Sequence, residues 1–306
     1  MDWMSRRMEL RHLRCFLVVA EELHFGRAAQ RLHIEQSPLS RTIKELEENL
    51  GVQLFARNRR GTRLTAAGKV FLEDVRRLFV TLEQARSNVE SVASGYRGTL
   101  RIAVSDGTFE PRLSAWLARC REEEPEVEVL LAEMSLVDQL RGLREGHFDA
   151  GFARTDDIGD GIVAQAIWHD PLMLAVPARH PLLVHRRVPL DGLARYPLVA
   201  CHPEACEGYS RQLARMLREL NVEPVLVQQA TSLDMMLTLV AAGYGVGFVT
   251  AAQMATCRHP DVVVRPVLGN ALPMLKTYVL RLVNNDSAQL DRFLARLNFR
   301  EENFPA

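Results

Sequence analysis

Hydrophobic positions near the start of the chain recur at the spacing of short amphipathic helices. The buried faces of two such helices are formed by Ala28, Ala29 and Leu32 and by Leu39, Ile43 and Leu46. Ser37 is a favourable N-cap and Pro38 suits the first helical position, so the second helix is predicted to begin there. Because only a few residues join the two helices, the segment 24–50 is predicted to be a helix-turn-helix.

The second helix of this pair carries polar and basic side chains on the face that its apolar spacing leaves outside. Ser40, Arg41 and Lys44 lie there, close to the N-terminal end of the helix. Hydroxyl, guanidinium and ammonium groups presented in this way suit base edges and phosphates in a DNA major groove. An ordinary solvated helix pair with a few basic residues is the alternative interpretation.

The flanking sequence favours the DNA interpretation. Residues 8–13 open a preceding helix, and residues 51–55 lead from the second helix into a predicted hairpin rich in arginine. A three-helix core followed by a basic wing is therefore predicted. The candidate DNA contacts are Ser37, Pro38, Ser40, Arg41, Lys44, Arg57, Arg59, Arg60 and Arg63.

A heptad pattern follows from Thr65 onward. Apolar residues recur at alternating intervals of four and three, which predicts a long helix with one apolar seam. The seam is formed by Phe71, Val75, Leu78, Leu82, Ala85 and Val89, and it continues to Val92. We favour packing against the same helix of a second protomer, since a two-fold protein matches a two-fold operator. Packing of the helix on its own domain is the alternative.

Beyond residue 95, short apolar runs alternate with helical stretches, which is typical of an α/β domain with parallel strands. The predicted strands are 100–104, 127–131 and 150–153, followed by a second series at 172–176, 198–200, 225–227 and 246–249. The predicted organisation is a DNA-binding domain at 1–66, a linker helix at 67–95 and an effector-binding domain at 96–306, with lobe I at 96–168 and 271–300 and lobe II at 169–270.

Parallel α/β sheets bind ligands beyond the carboxyl ends of their strands, so the loops after these strands are predicted to converge on a cleft between the lobes. The candidate effector-binding residues in these loops are Ser105, Gly107, Thr108, Ser135, Arg154, His202, Thr231 and Ser232, and Phe248 within the last predicted strand is a further candidate. Hydroxyl groups, helix N-termini and one or two cations suit a small organic anion. Each residue also has a simpler interpretation when taken singly. The serines can cap helices, Arg154 can form an ion pair with Asp156 or Asp157, and His202 can be a solvated side chain.

Composition places the chain among globular proteins and adds a weak charge asymmetry. A length of 306 residues with 47% hydrophobic residues suggests about two domains with ordinary cores. Residues 1–95 contain 16 Lys and Arg against 12 Asp and Glu, within a chain of zero formal net charge. Any DNA affinity must therefore depend on where the charges lie rather than on bulk charge.

Two segments bear on the membrane. The first ten residues lack the apolar stretch of a secretory signal, so the protein is expected to stay in the cytoplasm. The uncharged run 235–254 is long enough to suggest a membrane span. Glycines at 243, 245 and 247 interrupt it and no cationic flank anchors it, so we predict a buried helix, a glycine turn and a buried strand instead.

Candidate catalytic and metal-binding motifs are weak. The five cysteines show no zinc-like pairing, and no metalloprotease, P-loop or nucleophile-elbow motif occurs. Cys201 and His202 are adjacent in a predicted strand and therefore point to opposite faces. The Gly243–Gly247 run follows a helix and precedes a strand, the reverse of the dinucleotide-binding order. No enzyme activity, metal or cofactor is predicted; a redox switch at Cys201 and Cys206 and a solute-binding module for transport are the alternatives.

The segment from Glu9 to Gly68, including GRAAQRLHIEQSPLSRTIKELEENLGVQLFARNRRGTRLTAAG, closely resembles the N-terminal winged helix-turn-helix of LysR-type transcriptional regulators. One departure is Gly26, where the family often has Ser or Thr near the start of the first motif helix; Gly is a tolerable cap. Shorter signatures, GTLRIAV, LREGHFDAGFAR and LVAAGYGVGFV, extend the resemblance over almost the whole chain.

This resemblance implies a two-lobed effector-binding domain similar to periplasmic-type solute-binding proteins, with an inducer between the lobes. It also implies a dimer or tetramer, double-stranded operator DNA and RNA polymerase as partners, and a role as an activator. MELRHLR, EMSLVDQL and HFDAGFAR resemble the branch that controls aromatic-compound degradation, whose inducers are benzoate- or muconate-like carboxylates. Gly107 and Leu136 stand where that branch commonly offers hydroxyls, and Thr250 replaces a proline. The resemblance therefore implies an effector site at this place but does not identify the inducer.

Overall fold

A computed structural model describes residues 8–58, 61–93, 95–108, 111–220, 222–256, 259–268, 274–284 and 287–297. The chain divides into two compact units, Met1–Ser87 and Asn88–Ala306. The division falls inside one long helix, which covers almost the same residues as the linker helix predicted from the heptad pattern.

The first unit is a helical core with a two-stranded hairpin. It contains α1 (Leu10–Glu22), α2 (Phe25–Arg31), α3 (Gln36–Leu50), β1 (Phe55–Asn58), β2 (Gly61–Leu64) and most of α4 (Ala66–Ala93). Phe16 lies at its centre, with ring centroids 5.4 Å from Phe55 and 4.9 Å from Phe71. Ala28 and Ala29 are buried where α2 meets its neighbours, since small side chains let helices approach closely.

The predicted start of α3 is wrong by two residues. The helix begins at Gln36 with Glu35 as its N-cap, so Ser37 and Pro38 lie in the first turn. Proline is tolerated there because the first N–H groups of a helix have no intrahelical acceptor. Similarly, α2 is capped by His24, whose Nδ1 accepts the N–H of Arg27 at 3.2 Å, and Gly26 lies inside the helix rather than at its cap.

Lobe I of the second unit is a βαβ arrangement, as predicted. It is built from β3 (Gly98–Val104), α5 (Pro111–Glu123), β4 (Val127–Glu133), α6 (Leu136–Glu145) and β5 (Ala150–Ala153). The central strand β3 pairs in parallel with both β4 and β5. The core of this lobe contains Trp116, Phe152 and Trp168, and Phe152 and Trp168 stack at 5.7 Å.

The prediction of purely parallel sheets is wrong, because one long strand runs through both lobes. This strand, β6 (Ile162–Pro177), contains the segment 172–176 that the sequence suggested as a separate strand. The remaining elements are β7 (Val188–Pro189), β8 (Pro197–Cys201), α7 (Glu207–Glu219), β9 (Val225–Ala230), α8 (Leu233–Ala241), β10 (Gly247–Thr250), α9 (Ala251–Thr256), β11 (Val262–Leu268), β12 (Met274–Leu282) and α10 (Ala288–Ala295). β6 pairs antiparallel with β12 in lobe I and with β10 and β11 in lobe II. The two lobes therefore share the strand β6.

Lobe II contains the parallel pair β8–β9 and packs one face of α8 and the strand β10, both from the uncharged run at 235–254, into its core, while Met235 and Tyr244 of that run are exposed. That run forms α8, a turn in which Gly243 adopts φ +83°, and β10, so the predicted helix, glycine turn and strand are confirmed. Within the described residues, none of the helices is both long and apolar enough to cross a membrane.

Candidate DNA-reading surface and inter-lobe site

The exposed face of α3 carries the side chains that the sequence assigned to DNA. Leu39, Ile43 and Leu46 are fully buried and fix the opposite face in the core. The predicted DNA-contacting residues Ser37, Pro38, Arg41 and Lys44 are exposed, and Ser40 is half-buried. The helix therefore presents its polar face outward from a rigid support.

The hairpin after α3 is held by a carboxylate that the sequence analysis missed. Oε1 of Glu47 accepts the backbone N–H groups of Leu54 and Phe55 at 2.8 and 3.1 Å. Arg63 is exposed on β2, and the backbone of Arg57 lies in β1. The predicted contacts Arg59 and Arg60 lie outside the described residues.

The heptad seam of α4 divides into two parts. Val75 is only 2% exposed and Phe71 is half-buried, and both pack into the core of the first unit. These two seam residues therefore lie against their own domain, which corrects their assignment to a partner helix. An exposed apolar stripe follows on the same helix, formed by Leu78, Leu82, Ala85, Val89 and Val92.

Between the lobes of the second unit, the carboxylate of Asp106 joins residues from three elements. Asp106 follows β3 with φ +58°, and its Oδ1 accepts the N–H of Gly208, in the first turn of α7, at 2.8 Å. Its Oδ2 accepts the N–H of Arg154, at the end of β5, at 3.2 Å. We call these contacts the inter-lobe latch. A side chain at Gly208 would not fit, because a Cβ there would lie 2.4 Å from Oδ2 of Asp106.

Gln212, one turn farther along α7, makes a second set of contacts to lobe I. Its amide nitrogen donates to the carbonyl oxygen of Arg154 at 2.9 Å, and its Oε1 accepts the N–H of Lys276. Gln139 makes similar hydrogen bonds inside lobe I, where its Nε2 donates to the carbonyl oxygens of Ala103 and Phe152, both at 3.0 Å. Buried amides thus fix the strand ends that surround the latch.

The predicted effector residues divide by exposure. Five are exposed or half-buried, namely Gly107, Ser135, His202, Thr231 and Ser232. Five are buried, namely Ser105, Thr108, Leu136, Arg154 and Phe248. Thr108 is fully buried and its hydroxyl donates to the carbonyl oxygen of Ser105 at 2.9 Å. The hydroxyl of Thr108 is therefore already paired within its own turn, and such buried residues can shape a site only through the groups they position.

Two of the candidate serines, Ser135 and Ser232, cap helices, which agrees with their alternative interpretation as helix caps. Ser135 accepts the N–H of Asp138 at 3.1 Å at the start of α6, and Ser232 accepts the N–H of Met235 at 3.2 Å at the start of α8. At the start of α7, the acceptor is instead the Asp106 carboxylate from the other lobe. At each of these three helix N-termini, one backbone N–H group is thus accepted by a side chain of the protein itself.

Two cysteines lie beside the latch. Cys201 ends β8 and is buried, while Cys206 is the half-buried N-cap of α7. A hydrogen bond from the Cys201 thiol lowers the pKa of Cys206, although burial opposes this effect. The same hydrogen bond, together with burial, raises the pKa of Cys201. The pKa values of the two thiols are therefore shifted in opposite directions.

Comparison with known proteins identifies both units. A family model described as the LysR substrate binding domain matches residues 93–299, and one described as a bacterial regulatory helix-turn-helix protein, lysR family, matches residues 10–69. The chain belongs to the LysR family. It is therefore a DNA-binding transcriptional regulator with an effector-binding domain, not an enzyme.

Individual members of the LysR family match over most of the chain. YnfL of Escherichia coli (strain K12), an uncharacterized HTH-type transcriptional regulator, is 38% identical over 246 residues, which cover 80% of this chain and 83% of YnfL. The regulator BenM of Acinetobacter baylyi is 33% identical over 247 residues, covering 80% and 81%. The structure of full-length CbnR complexed with target DNA superposes with a TM-score of 0.69 at 27% identity, covering 95% of this chain and 99% of CbnR. The resemblance recognised in the sequence is confirmed.

In this LysR-family regulator, sequence reasoning found the polar strand ends and missed the residues that connect them. Asp106, Gly208 and Gln212 were not singled out, although Asp106–Gly107 is a turn-forming pair at the end of a predicted strand. The contact from Asp106 to Gly208 spans 102 residues, and no local pattern reveals it.

Proposed function

We propose that this regulator responds to a small carboxylate that competes with Asp106 for the N-terminus of α7. The observation that carries the proposal is that a carboxylate already occupies this place, bound by the N–H of Gly208 at 2.8 Å. The first N–H groups of a helix and its dipole favour an anion. An inducer carboxylate that replaced Asp106 would release the latch and change how the two lobes meet.

In the same proposal, the ligand-dependent domain controls a dimeric DNA-binding end in the cytoplasm. Arg41 and Lys44 of α3 read an operator, and the arginines of the hairpin bind its phosphates. The exposed stripe from Leu78 to Val92 supplies the dimer contact, because exposed apolar residues at heptad spacing favour helix pairing. As an activator, the regulator would act on RNA polymerase.

The test replaces the competing carboxylate. The variant Asp106→Ala leaves the N–H of Gly208 available to the ligand. The affinity for carboxylates is therefore expected to rise about ten- to a hundredfold, because a hydrogen bond to a charged group contributes about 1.5–3 kcal/mol. Benzoate- and muconate-like acids would be titrated into the full chain by calorimetry. Asp157→Ala is the matched control, because it removes an equal charge from an exposed residue that pairs with Arg211 at 3.2 Å.

Weaker binding to Asp106→Ala would contradict the proposal. It would mean that the ligand donates hydrogen bonds to this carboxylate and carries an amine or hydroxyl there instead of an anion. An equal gain in carboxylate affinity for both variants would mean that the loss of any negative charge, rather than the freed N–H of Gly208, explains the tighter binding. The solute-binding alternative makes a different prediction, since a module used only for transport has no reason to bind DNA through α3.

A further inference from the structure

The backbone of Leu54 lies where three elements of the first unit meet. Leu54 is buried between the end of α3 and the start of β1. Its N–H group donates to Oε1 of Glu47, on α3, at 2.8 Å. Its carbonyl oxygen accepts the N–H of Thr65, the residue before α4, at 2.9 Å. One residue therefore connects α3 with the start of α4.

Glu47 ties the last turn of α3 to the segment that follows it. Its carbonyl oxygen accepts the N–H of Val52 at 3.2 Å, after Gly51 has reversed the chain with φ +70°. Its side-chain Oε1 accepts the N–H groups of Leu54 and Phe55. A carboxylate in the last turn of a helix is opposed by the helix dipole, and hydrogen bonds from two N–H groups offset that cost. The segment that Glu47 holds therefore explains why a carboxylate lies there.

Thr65 and Gly68 hold the same segment against the start of α4. The hydroxyl of Thr65 donates to the carbonyl oxygen of Gln53 at 2.8 Å, and its oxygen accepts the N–H of Gly68 at 3.0 Å. A Cβ added to Gly68 would lie 2.2 Å from the carbonyl oxygen of Leu54, a backbone atom that cannot rotate out of the way. The first turn of α4 therefore lies directly against Leu54. We call the contacts of Glu47, Thr65 and Gly68 with this segment the Leu54 junction.

We propose that Glu47, Thr65 and Gly68 are positioning residues for operator recognition, because the Leu54 junction holds α3 at a fixed angle to α4. The inference rests on the proposed roles of α3 as the DNA-reading helix and of the exposed stripe of α4 as the dimer contact. When two α4 helices pair about a two-fold axis, this angle sets the separation of the two α3 helices. The three residues therefore determine which spacing of half-sites a dimer accepts.

Apolar packing alone would define this angle less sharply. Val75 of α4 packs into the same core as Ile43 of α3, and apolar contacts are not directional. Hydrogen bonds restrict both a distance and an angle. Each base pair advances the DNA by about 3.4 Å and turns it by roughly 34–36°. A small change in the angle between α3 and α4 is therefore enough to change the spacing that fits.

The test compares DNA duplexes that differ only in half-site spacing. The full chain first selects its operator from a random duplex library, and duplexes with one base pair more or fewer between the half-sites are then made. The wild-type protein should bind the selected spacing about tenfold more tightly than either neighbour. Gly68→Ala and Glu47→Ala should reduce this ratio at least about threefold or move the preference to a neighbouring spacing. A variant that is merely less stable binds every duplex less well by the same factor, so its ratio would not change.

Each variant has a matched control. Glu47→Gln keeps an oxygen that accepts N–H groups and should retain most of the wild-type ratio, while Glu73→Ala removes an equal charge from an exposed position of α4. Ala67→Ser adds one atom to the exposed neighbour of Gly68. If Gly68→Ala does not fold, Thr65→Val and Thr65→Ser replace it in the test. The valine variant should lose spacing discrimination, and the serine variant, which keeps the hydroxyl, should retain it.

The outcomes separate this inference from the proposal on which it rests. Folded variants of Glu47, Gly68 and Thr65 that all keep the wild-type ratio would overturn the positioning role of the Leu54 junction alone. An equal loss of discrimination in Glu73→Ala or Ala67→Ser would also overturn it, since charge or any change in α4 would then explain the effect. A wild-type protein that binds one half-site as tightly as two would overturn the dimeric operator, and the inference with it.

Discussion

Gly208→Ala is the sharpest test of the inter-lobe latch. The added Cβ would lie 2.4 Å from Oδ2 of Asp106 and 3.2 Å from the carbonyl oxygen of Arg154, so the first turn of α7 must move away from lobe I. Losing the hydrogen bond to a buried carboxylate costs about 1.5–3 kcal/mol, and the steric adjustment adds about 1–3 kcal/mol. Alanine returns about 0.5–1 kcal/mol through its helix propensity. The net loss in free energy of unfolding is therefore expected to be roughly 2–5 kcal/mol.

The measurement is urea unfolding of the full chain followed by tryptophan fluorescence, because Trp116 and Trp168 lie in the core of lobe I. Ala214→Gly, at an exposed position of the same helix, measures the helix-propensity contribution separately. The decisive comparison is the double variant with Asp106→Ala, in which the principal clash is gone. The double variant should be destabilised by at least about 1 kcal/mol less than the sum of the single variants. Additivity within about 0.5 kcal/mol would refute the direct contact between Asp106 and Gly208.

Two further predictions concern the DNA-binding end. Arg41→Ala should lose about 1–3 kcal/mol of operator-binding free energy and relax specificity at one base pair. Arg63→Ala should instead weaken binding to all DNA sequences alike and reduce the slope of the salt dependence by roughly one. Equal losses of affinity for operator and random DNA in Arg41→Ala would contradict a base contact. Leu82→Glu would place a charge in the proposed dimer contact and should shift analytical ultracentrifugation towards the monomer, while Arg77→Glu on the outer face should not. An unchanged sedimentation coefficient for Leu82→Glu would show that the exposed stripe is not the dimer contact.

The first unit was largely predictable because its information is local. The spacing of Leu39, Ile43 and Leu46 fixes which face of α3 is buried, and the remaining positions then face outward. The helix start was missed by two residues, since the first turn accepts proline at several positions. The seam of α4 shows the limit of periodicity: the same repeat contains Val75, which is buried in its own domain, and Leu82, which is 44% exposed.

The second unit was predictable as alternating strands and helices, but its topology depends on contacts between segments that are far apart in the chain. A run of apolar residues predicts a strand without giving the direction of its neighbours, and β6 is antiparallel to β10, β11 and β12. Two polar residues that follow strands, Asp106 and Arg154, do lie where the lobes meet. Which hydroxyls are exposed was not predictable, because Thr108 and Thr231 both follow predicted strands, yet Thr108 is fully buried and Thr231 is exposed.

Local patterns were sufficient to predict the DNA-binding architecture, the long helix and the class of the effector domain, because each of these depends on repeated spacing or on motifs within one segment. Only the folded chain shows that Asp106 contacts the first turn of α7. A hydrogen bond between residues 102 apart depends on how whole elements pack, and a single carboxylate leaves no periodic trace in the sequence. The residues that join the lobes are therefore the ones that the sequence could not single out.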